Sequence, residues 1–270
     1  MTETVGQEVL VATASQVQLR TDAVQAFIMH HVMDSSTLKL PHLAVKLPWF
    51  ISLHGIMVLL AALVLIVVLG LVGRRKGSGL TRFGHLLEFF VVFIRDKISI
   101  PYLGEKDGLI MTPLFCSLFC FILTMNLLGL IPAFYTASAN VSVTGALALV
   151  TLAFMLVGAM VRNGVGPFFK GFMPHGVPWP VLIILVPIEI LGQFIKAFAL
   201  TIRLFANMLA GHIVLFFMLG LIVIFGATAS PFLLMALFIY ILEFFIAFLQ
   251  AYIFTLLSAV FIGQRFHPEH

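Results

Sequence analysis

The sequence predicts an all-α integral membrane protein: five transmembrane helices plus one interfacial amphipathic helix, the last two spans long, tilted and forming a hairpin. Three observations carry this reading. Of 270 residues, 61% are apolar and only 10% are charged, with 28 Phe, whereas soluble domains are about a quarter charged. Mean hydropathy is +1.15. No charged residue occurs from Gly108 to Val161, a stretch that as one helix would run roughly 80 Å against a hydrocarbon core of about 30 Å. Such a composition excludes a soluble enzyme, a secreted disulfide scaffold and a disordered tail, and it sets the chain among membrane lipid. A nucleic-acid binder is excluded too, despite 15 Lys and Arg against 11 Asp and Glu; that basicity has to be read by position.

Residues 1–48 are expected to form an outer segment, of modest amphipathic character, ahead of a membrane domain over 49–270. Met1 to Leu19 contain no basic start, apolar core and cleavage site in sequence, so no signal peptide is read. The first span is placed at about 50–73. Trp49 sits at an interface-like position, Gly55 to Gly73 is uncharged, and Arg74-Arg75-Lys76 ends the transfer. In 81–98 a short apolar run from Leu86 to Ile94 is flanked or interrupted by Arg82, His85, Glu88, Arg95, Asp96 and Lys97. It is too short to span, so an interfacial helix is expected, a re-entrant segment being the alternative. The uncharged 108–161 stretch must fold back once. Gly129 to Pro132 and the Ser/Thr/Asn-rich run from Thr136 to Ser142 mark the break, which gives spans at about 110–131 and 144–161. The last third offers two apolar stretches, about 179–225 and 228–264, on either side of Gly226 to Pro231. Each exceeds what a span needs, so tilt is expected.

Cytoplasmic loops are enriched in Lys and Arg. The segment 74–107 and the loop 162–172 carry them, while loops 132–143 and 226–231 have none. The basic loops are therefore assigned to the cytoplasm, with the N-terminus outside and, after five crossings, the C-terminus in the cytoplasm.

Within the apolar stretches, Glu189, Gln193, Lys196, Leu200, Arg203 and Asn207 share one helical face at about 100° per residue. An ionisable group at membrane depth costs several kcal/mol unless it meets a partner or a water-filled space. Arg203 lies too deep to reach either interface, whereas Lys196 also fits snorkelling to one and Glu189 also fits a simple mouth residue. Beside this stripe, Gly192, Ala199, Ala206, Ala210 and Gly211 permit close approach of a helix or a file of water. His212 falls about half a turn away and should face something different. On the final stretch, Tyr240, Glu243 and Gln250 share a face, with Tyr252 off it. In a hairpin closed at 226–231, His212 and Glu243 are about equidistant from the turn and should meet, and Arg203 should fall near Gln250. A His beside a carboxylate can pass protons, because imidazole titrates near neutrality; the pair also fits a structural hydrogen bond. The Arg203 guanidinium stays charged at any accessible pH and can act only as a fixed positive gate.

Cys116 and Cys120, stacked on one helix face, read as small packing residues. The chain has no phosphate-binding glycine loop, no Cys-x-x-Cys, no His-Glu-x-x-His and no nucleophile elbow, so no cofactor, metal or direct nucleotide contact is expected. An anion transporter would predict internal symmetry, a haem subunit would need paired His in the spans, and a plain anchor would leave Arg203, His212 and Glu243 without a reason.

The run from Ala199 to His212, preceded by Pro187-Ile188-Glu189 and followed by Glu243 and Leu249 to Thr255, resembles subunit a of the F-type rotary ATP synthases. Met125 to Pro132 is similar to the end of an earlier helix of that family, with Gly129 where bacterial members often carry an acid. His30 to Asp34 resembles the outer N-terminal region of bacterial members. The resemblance implies a subunit that is non-catalytic by itself and lies against a ring of c subunits bearing membrane-embedded carboxyl groups. It would provide two offset aqueous half-channels for protons. Arg203 matches the family's essential arginine facing the ring, and Gln250 its glutamine partner. His212 and Glu243 match the outer half-channel positions; Glu189 fits the inner one. Asn207 matches another polar position of the region, with Lys196 beside the same path. Expected partners are the c-subunit ring, subunit b with the peripheral stalk, and the other ATP synthase subunits. The implied location is the bacterial inner membrane, the alternative being the mitochondrial inner membrane.

Overall fold

Five helices in the structure, a computed structural model describing residues 15–26, 37–40, 43–46, 53–73, 82–131, 134–172, 178–226 and 230–267, are long and apolar enough to cross a membrane. Trp49, Arg74 to Lys76, His30 to Asp34 and Pro132 lie outside the described residues. Helix α1 covers 15–26 and is followed by strands β1 (Thr37–Leu40) and β2 (Leu43–Lys46), paired antiparallel with Thr37 opposite Lys46. Among the described residues this small hairpin is the one pair of strands, and it belongs to the segment ahead of the first long helix. Then come α2 (Leu53–Gly73), α3 (Arg82–Ile94), α4 (Ile100–Gly129), α5 (Val141–Ala153), α6 (Ala159–Asn163), α7 (Val165–Lys170), α8 (Trp179–Phe225) and α9 (Ser230–Phe266).

Helix α3, expected to lie at the interface, and the second span are not separated by a loop. A π-turn at Arg95–Ser99 carries α3 directly into α4. The corner falls later, at Gly104, whose φ of 79° and ψ of 172° are non-helical. Only glycine takes that conformation without strain, so the chain can change direction there with no intervening residues. Its neighbours Glu105, Lys106 and Asp107 are the last charges before the long apolar run, which is why the corner sits at this point. The next break is set by capping: Asn140 accepts from Ser142 N at 2.8 Å and starts α5 three residues before the sequence pattern suggested. The Ser/Thr/Asn-rich run is thus half loop and half helix cap. A π-turn at Phe154–Gly158 joins α5 to α6.

The core lies where α4 and α9 pack together, with α8 and α5 against them. Phe115, Ile122 and Met125 of α4 meet Phe254 and Ile262 of α9 and Leu200 and Leu204 of α8, all essentially without exposed surface. Ala247, Ala251 and Ala259 form a row of fully buried small residues along α9, which lets the helices approach closely. Cys116 and Cys120 are free thiols half-buried beside this core. The opposite surfaces of α8 and α9 are apolar and open: Phe198, Phe238 and Phe245 are each about two-thirds exposed. The intervening turn brings the two helices alongside each other as a hairpin. Helix α1 docks near that turn, where Arg20 Nη1 donates to the Ile224 carbonyl at 3.3 Å.

Candidate functional site

Helices α8 and α9 run side by side, so polar residues at matching distances from their connecting turn face one another, and three clusters follow along the pair. The cluster farthest from the turn gathers around Glu189. Gln193, one turn along α8, donates to Glu189 Oε1 at 3.0 Å, and Arg265 from the end of α9 reaches the same oxygen at 3.3 Å. The Arg265 guanidinium is buried, lies 3.9 Å from the Phe172 ring centroid and donates to the Gly171 carbonyl at 3.3 Å. Lys196 Nζ donates to Gln264 Oε1 at 3.0 Å and sits over Phe261. Glu189, Gln193, Lys196, Gln264 and Arg265, together with Tyr102, line a cavity of about 580 Å³. Its polar walls suit water, since several donors and acceptors converge on it.

The middle cluster is sparse. Asn207 Nδ2 donates to Gln250 Oε1 at 3.3 Å, and Gln250 is buried with its Nε2 lacking a partner among the described residues. Arg203 is exposed, on the open face of α8 with Ala199, Ala206 and Ala210. It makes no hydrogen bond or ion pair among the described residues. Asn207, not Arg203, is the α8 residue bonded to Gln250, because Asn207 and Gln250 lie equally far from the midpoint of 226–231. On the other side of α9, Asn126 of α4 is fully buried and donates to the Ala247 carbonyl at 3.4 Å.

Toward the turn, His212 and Glu243 form the third cluster. Nδ1 of His212 lies 3.8 Å from Glu243 Oε1, both side chains being buried. That is an ion-pair distance and too long for a hydrogen bond. Glu243 can come this close because its carboxylate lies over Gly211, where a Cβ would overlap Oε1. The other ring nitrogen of His212, Nε2, is 2.6 Å from Thr136 Oγ1, in the loop between α4 and α5. Phe216 stacks on the imidazole, and a small void of about 40 Å³ is bounded by Gly129, Thr136, His212 and Phe216. By the usual volume criterion it has room for a water molecule.

The seven residues expected from sequence therefore fall into three groups: Glu189 with Lys196, Arg203 near Asn207 and Gln250, and His212 with Glu243. Arg203 and His212 point about half a turn apart round α8, about two and a half turns along it, and the first is exposed while the second is buried. Sequence reasoning missed Arg265 as a site residue, and Thr136, taken as loop. Counting residues from the turn would have set Arg265 within about one helical turn of Glu189. Thr136 had no such signal, since it is 76 residues from His212 and on no periodic face. Tyr252 packs on Phe93 of α3 rather than on these groups. No group of three or more His, Cys, Asp or Glu suited to a metal converges among the described residues.

Comparison with known proteins places this geometry in a family. The ATP synthase A chain family matches residues 55–263, a range holding all three clusters except Arg265 and Gln264. ATP synthase subunit a of Myxococcus xanthus is 45% identical over 228 residues, covering 82% of this chain and 74% of the relative. ATP synthase subunit a 2 of Chlorobaculum tepidum is 40% identical over 275 residues, covering 93% and 76%. The subunit a of Chloroherpeton thalassium is likewise 40% identical, over 266 residues, covering 93% and 78%. With five long apolar helices, a hairpin carrying ionisable residues at membrane depth, and matches of this extent, the chain belongs to the ATP synthase A chain family.

Proposed function

We propose that this chain is the proton-conducting stator subunit of an F-type ATP synthase. It provides two offset half-channels to and from the carboxylates of a c-subunit ring, and Arg203 separates them. The observation that carries the reading is the state of Arg203: an exposed cation midway along an apolar helix, without a partner among the described residues, between the cavity around Glu189 and Lys196 and the small void beside His212 on the same helix. From Lys196 to His212 the rise along α8 is roughly 24 Å, so the cavities are offset by most of a bilayer core.

An unpaired guanidinium there calls for an acidic partner from another chain. Small neighbours at Ala199, Ala206 and Ala210 leave room for a helix bearing one. A carboxylate arriving opposite Arg203 stays ionised and cannot carry a proton past it, because the guanidinium cannot give up its charge. Protons entering at the His212–Glu243 end must then load onto the ring, travel with it, and leave by the cavity of Glu189 and Lys196. Gln250 and Asn207 hold the helix backs together behind the gate. The subunit catalyses no chemistry of its own; nucleotide chemistry belongs to partners, with subunit b and the peripheral stalk holding it still against the ring.

The basic loops support a bacterial inner-membrane orientation with residues 1–48 outside and the C-terminus in the cytoplasm, and the organisms of the relatives fit this. ATP-driven proton pumping in inverted vesicles tests the proposal. Arg203→Ala is expected to reduce pumping to background while an immunoblot finds the subunit assembled at the wild-type level. Normal pumping by the assembled variant would overturn the gate.

A further inference from the structure

We infer that Thr136 is a positioning residue of the outer path, whose hydroxyl fixes which nitrogen of His212 exchanges protons with Glu243. This rests on the proposed function and adds a group that lies on neither helix of the hairpin. The geometry is specific. Thr136 Oγ1 is 2.6 Å from His212 Nε2 and 3.5 Å from the Gly129 carbonyl, and both Thr136 and His212 are more than nine-tenths buried.

A threonine hydroxyl has one proton to give and lone pairs to receive. The Gly129 carbonyl can only accept, so the arrangement that uses all three groups runs one way. Nε2–H of His212 donates to Oγ1, and the hydroxyl proton points to Gly129. The proton of neutral His212 is thereby held at Nε2, which leaves the Nδ1 lone pair toward Glu243 Oε1 at 3.8 Å. A small rotation of the Glu243 carboxyl, or one bridging water, closes that gap. The step balances as a proton shift. The O–H bond of a protonated Glu243 breaks, an N–H bond forms at Nδ1, and a carboxylate and an imidazolium remain; the reverse restores both. If instead the hydroxyl donated to Nε2, the ring proton would sit at Nδ1, where it would block acceptance from Glu243.

The loop is built to hold this hydroxyl in place. Thr136 begins the 3₁₀ turn Ala137–Ala139, with its carbonyl accepting from Ala139 N at 3.1 Å, and Asn140 ends that turn by capping α5. Its methyl group packs on Gly129, where a Cβ would come within 2.8 Å of Thr136 Cγ2. Methyl and hydroxyl therefore do separate things and can be removed separately.

The test compares Thr136→Val, which keeps the shape, with Thr136→Ser, which keeps the hydroxyl. The assay is ATP-driven pumping by the whole complex in inverted vesicles, normalised to assembled subunit, with His212→Ala alongside. Loss of one hydrogen bond predicts pumping about three- to tenfold lower for valine, and within about twofold of wild type for serine. Serine falling below valine would mean that the methyl packing matters and would overturn the assignment. Wild-type pumping by valine with a defective His212→Ala overturns Thr136 alone; wild-type pumping by both overturns the outer path itself. Should valine fail to assemble, Thr136→Ala serves in its place: a loss with serine intact supports the hydroxyl, and no loss refutes it.

Discussion

Glycine 211 is the residue on which the His212–Glu243 geometry most directly depends, because the Glu243 carboxylate occupies the space a side chain would take. Gly211→Ala leaves the helix intact and favours it by about 0.5–1 kcal/mol, yet it must push the carboxylate away from its present place. Misplacement of about an ångström in a reacting group costs up to about a hundredfold, so proton pumping per assembled complex is expected to fall between tenfold and a hundredfold with assembly unchanged. Pumping and an immunoblot on the same vesicles check both halves. The site was legible in sequence to the extent that its groups sit on two regular helices with one turn between them. His212 opposite Glu243 follows from counting and is found. The residue bonded to Gln250 is Asn207, one helical turn from Arg203, since Asn207 matches Gln250 in distance from the turn. Thr136 was illegible because a loop residue meeting a distant helix leaves no periodic trace.

At the scale of helices, the row of Ala247, Ala251 and Ala259 decides how closely α9 lies to the core. Ala251→Leu forces three extra heavy atoms into a seam with no room, at a cost of about 1–3 kcal/mol. The expected readout is a lower midpoint of thermal unfolding for the purified protein in detergent; an unchanged midpoint would mean that the seam yields easily. The number and type of the long helices could be read from sequence because apolar runs and bilayer thickness leave few alternatives. Their junctions could not. The corner at Gly104 depends on one backbone conformation, and the π-turn that fuses α3 to α4 leaves no compositional mark, so the sequence pattern put a gap where the chain is helix broken only at that glycine. The β1–β2 hairpin escaped notice for a similar reason: two strands of four residues are too short to establish an alternating pattern.

Taken as a whole, the molecule is tied at one end by polar contacts and along its middle by apolar packing. Asp107 beside α4's charged start pairs with Arg162 of α6, whose Nη1 also donates to the Phe266 carbonyl at 2.8 Å; Asn163 bonds the same carbonyl at 3.1 Å, and His267 approaches Asp107 at 3.3 Å. The last carbonyls of α9 are thus satisfied by another helix. Arg162→Ala leaves the Phe266 carbonyl to Asn163 and Asp107 to His267, so a loss of about 1–3 kcal/mol is expected, read as increased protease sensitivity of the C-terminus in assembled membranes. The unaccompanied charge of Arg203 has a bearing on biogenesis. On the proposed reading of Arg203 as a gate facing an acidic partner, the newly inserted polypeptide holds a guanidinium against lipid at a cost of about 2.5–3.5 kcal/mol on insertion scales until that partner docks. The cation proposed as the gate would then also mark an orphan copy as unfinished, which would favour insertion late, when a ring is already waiting.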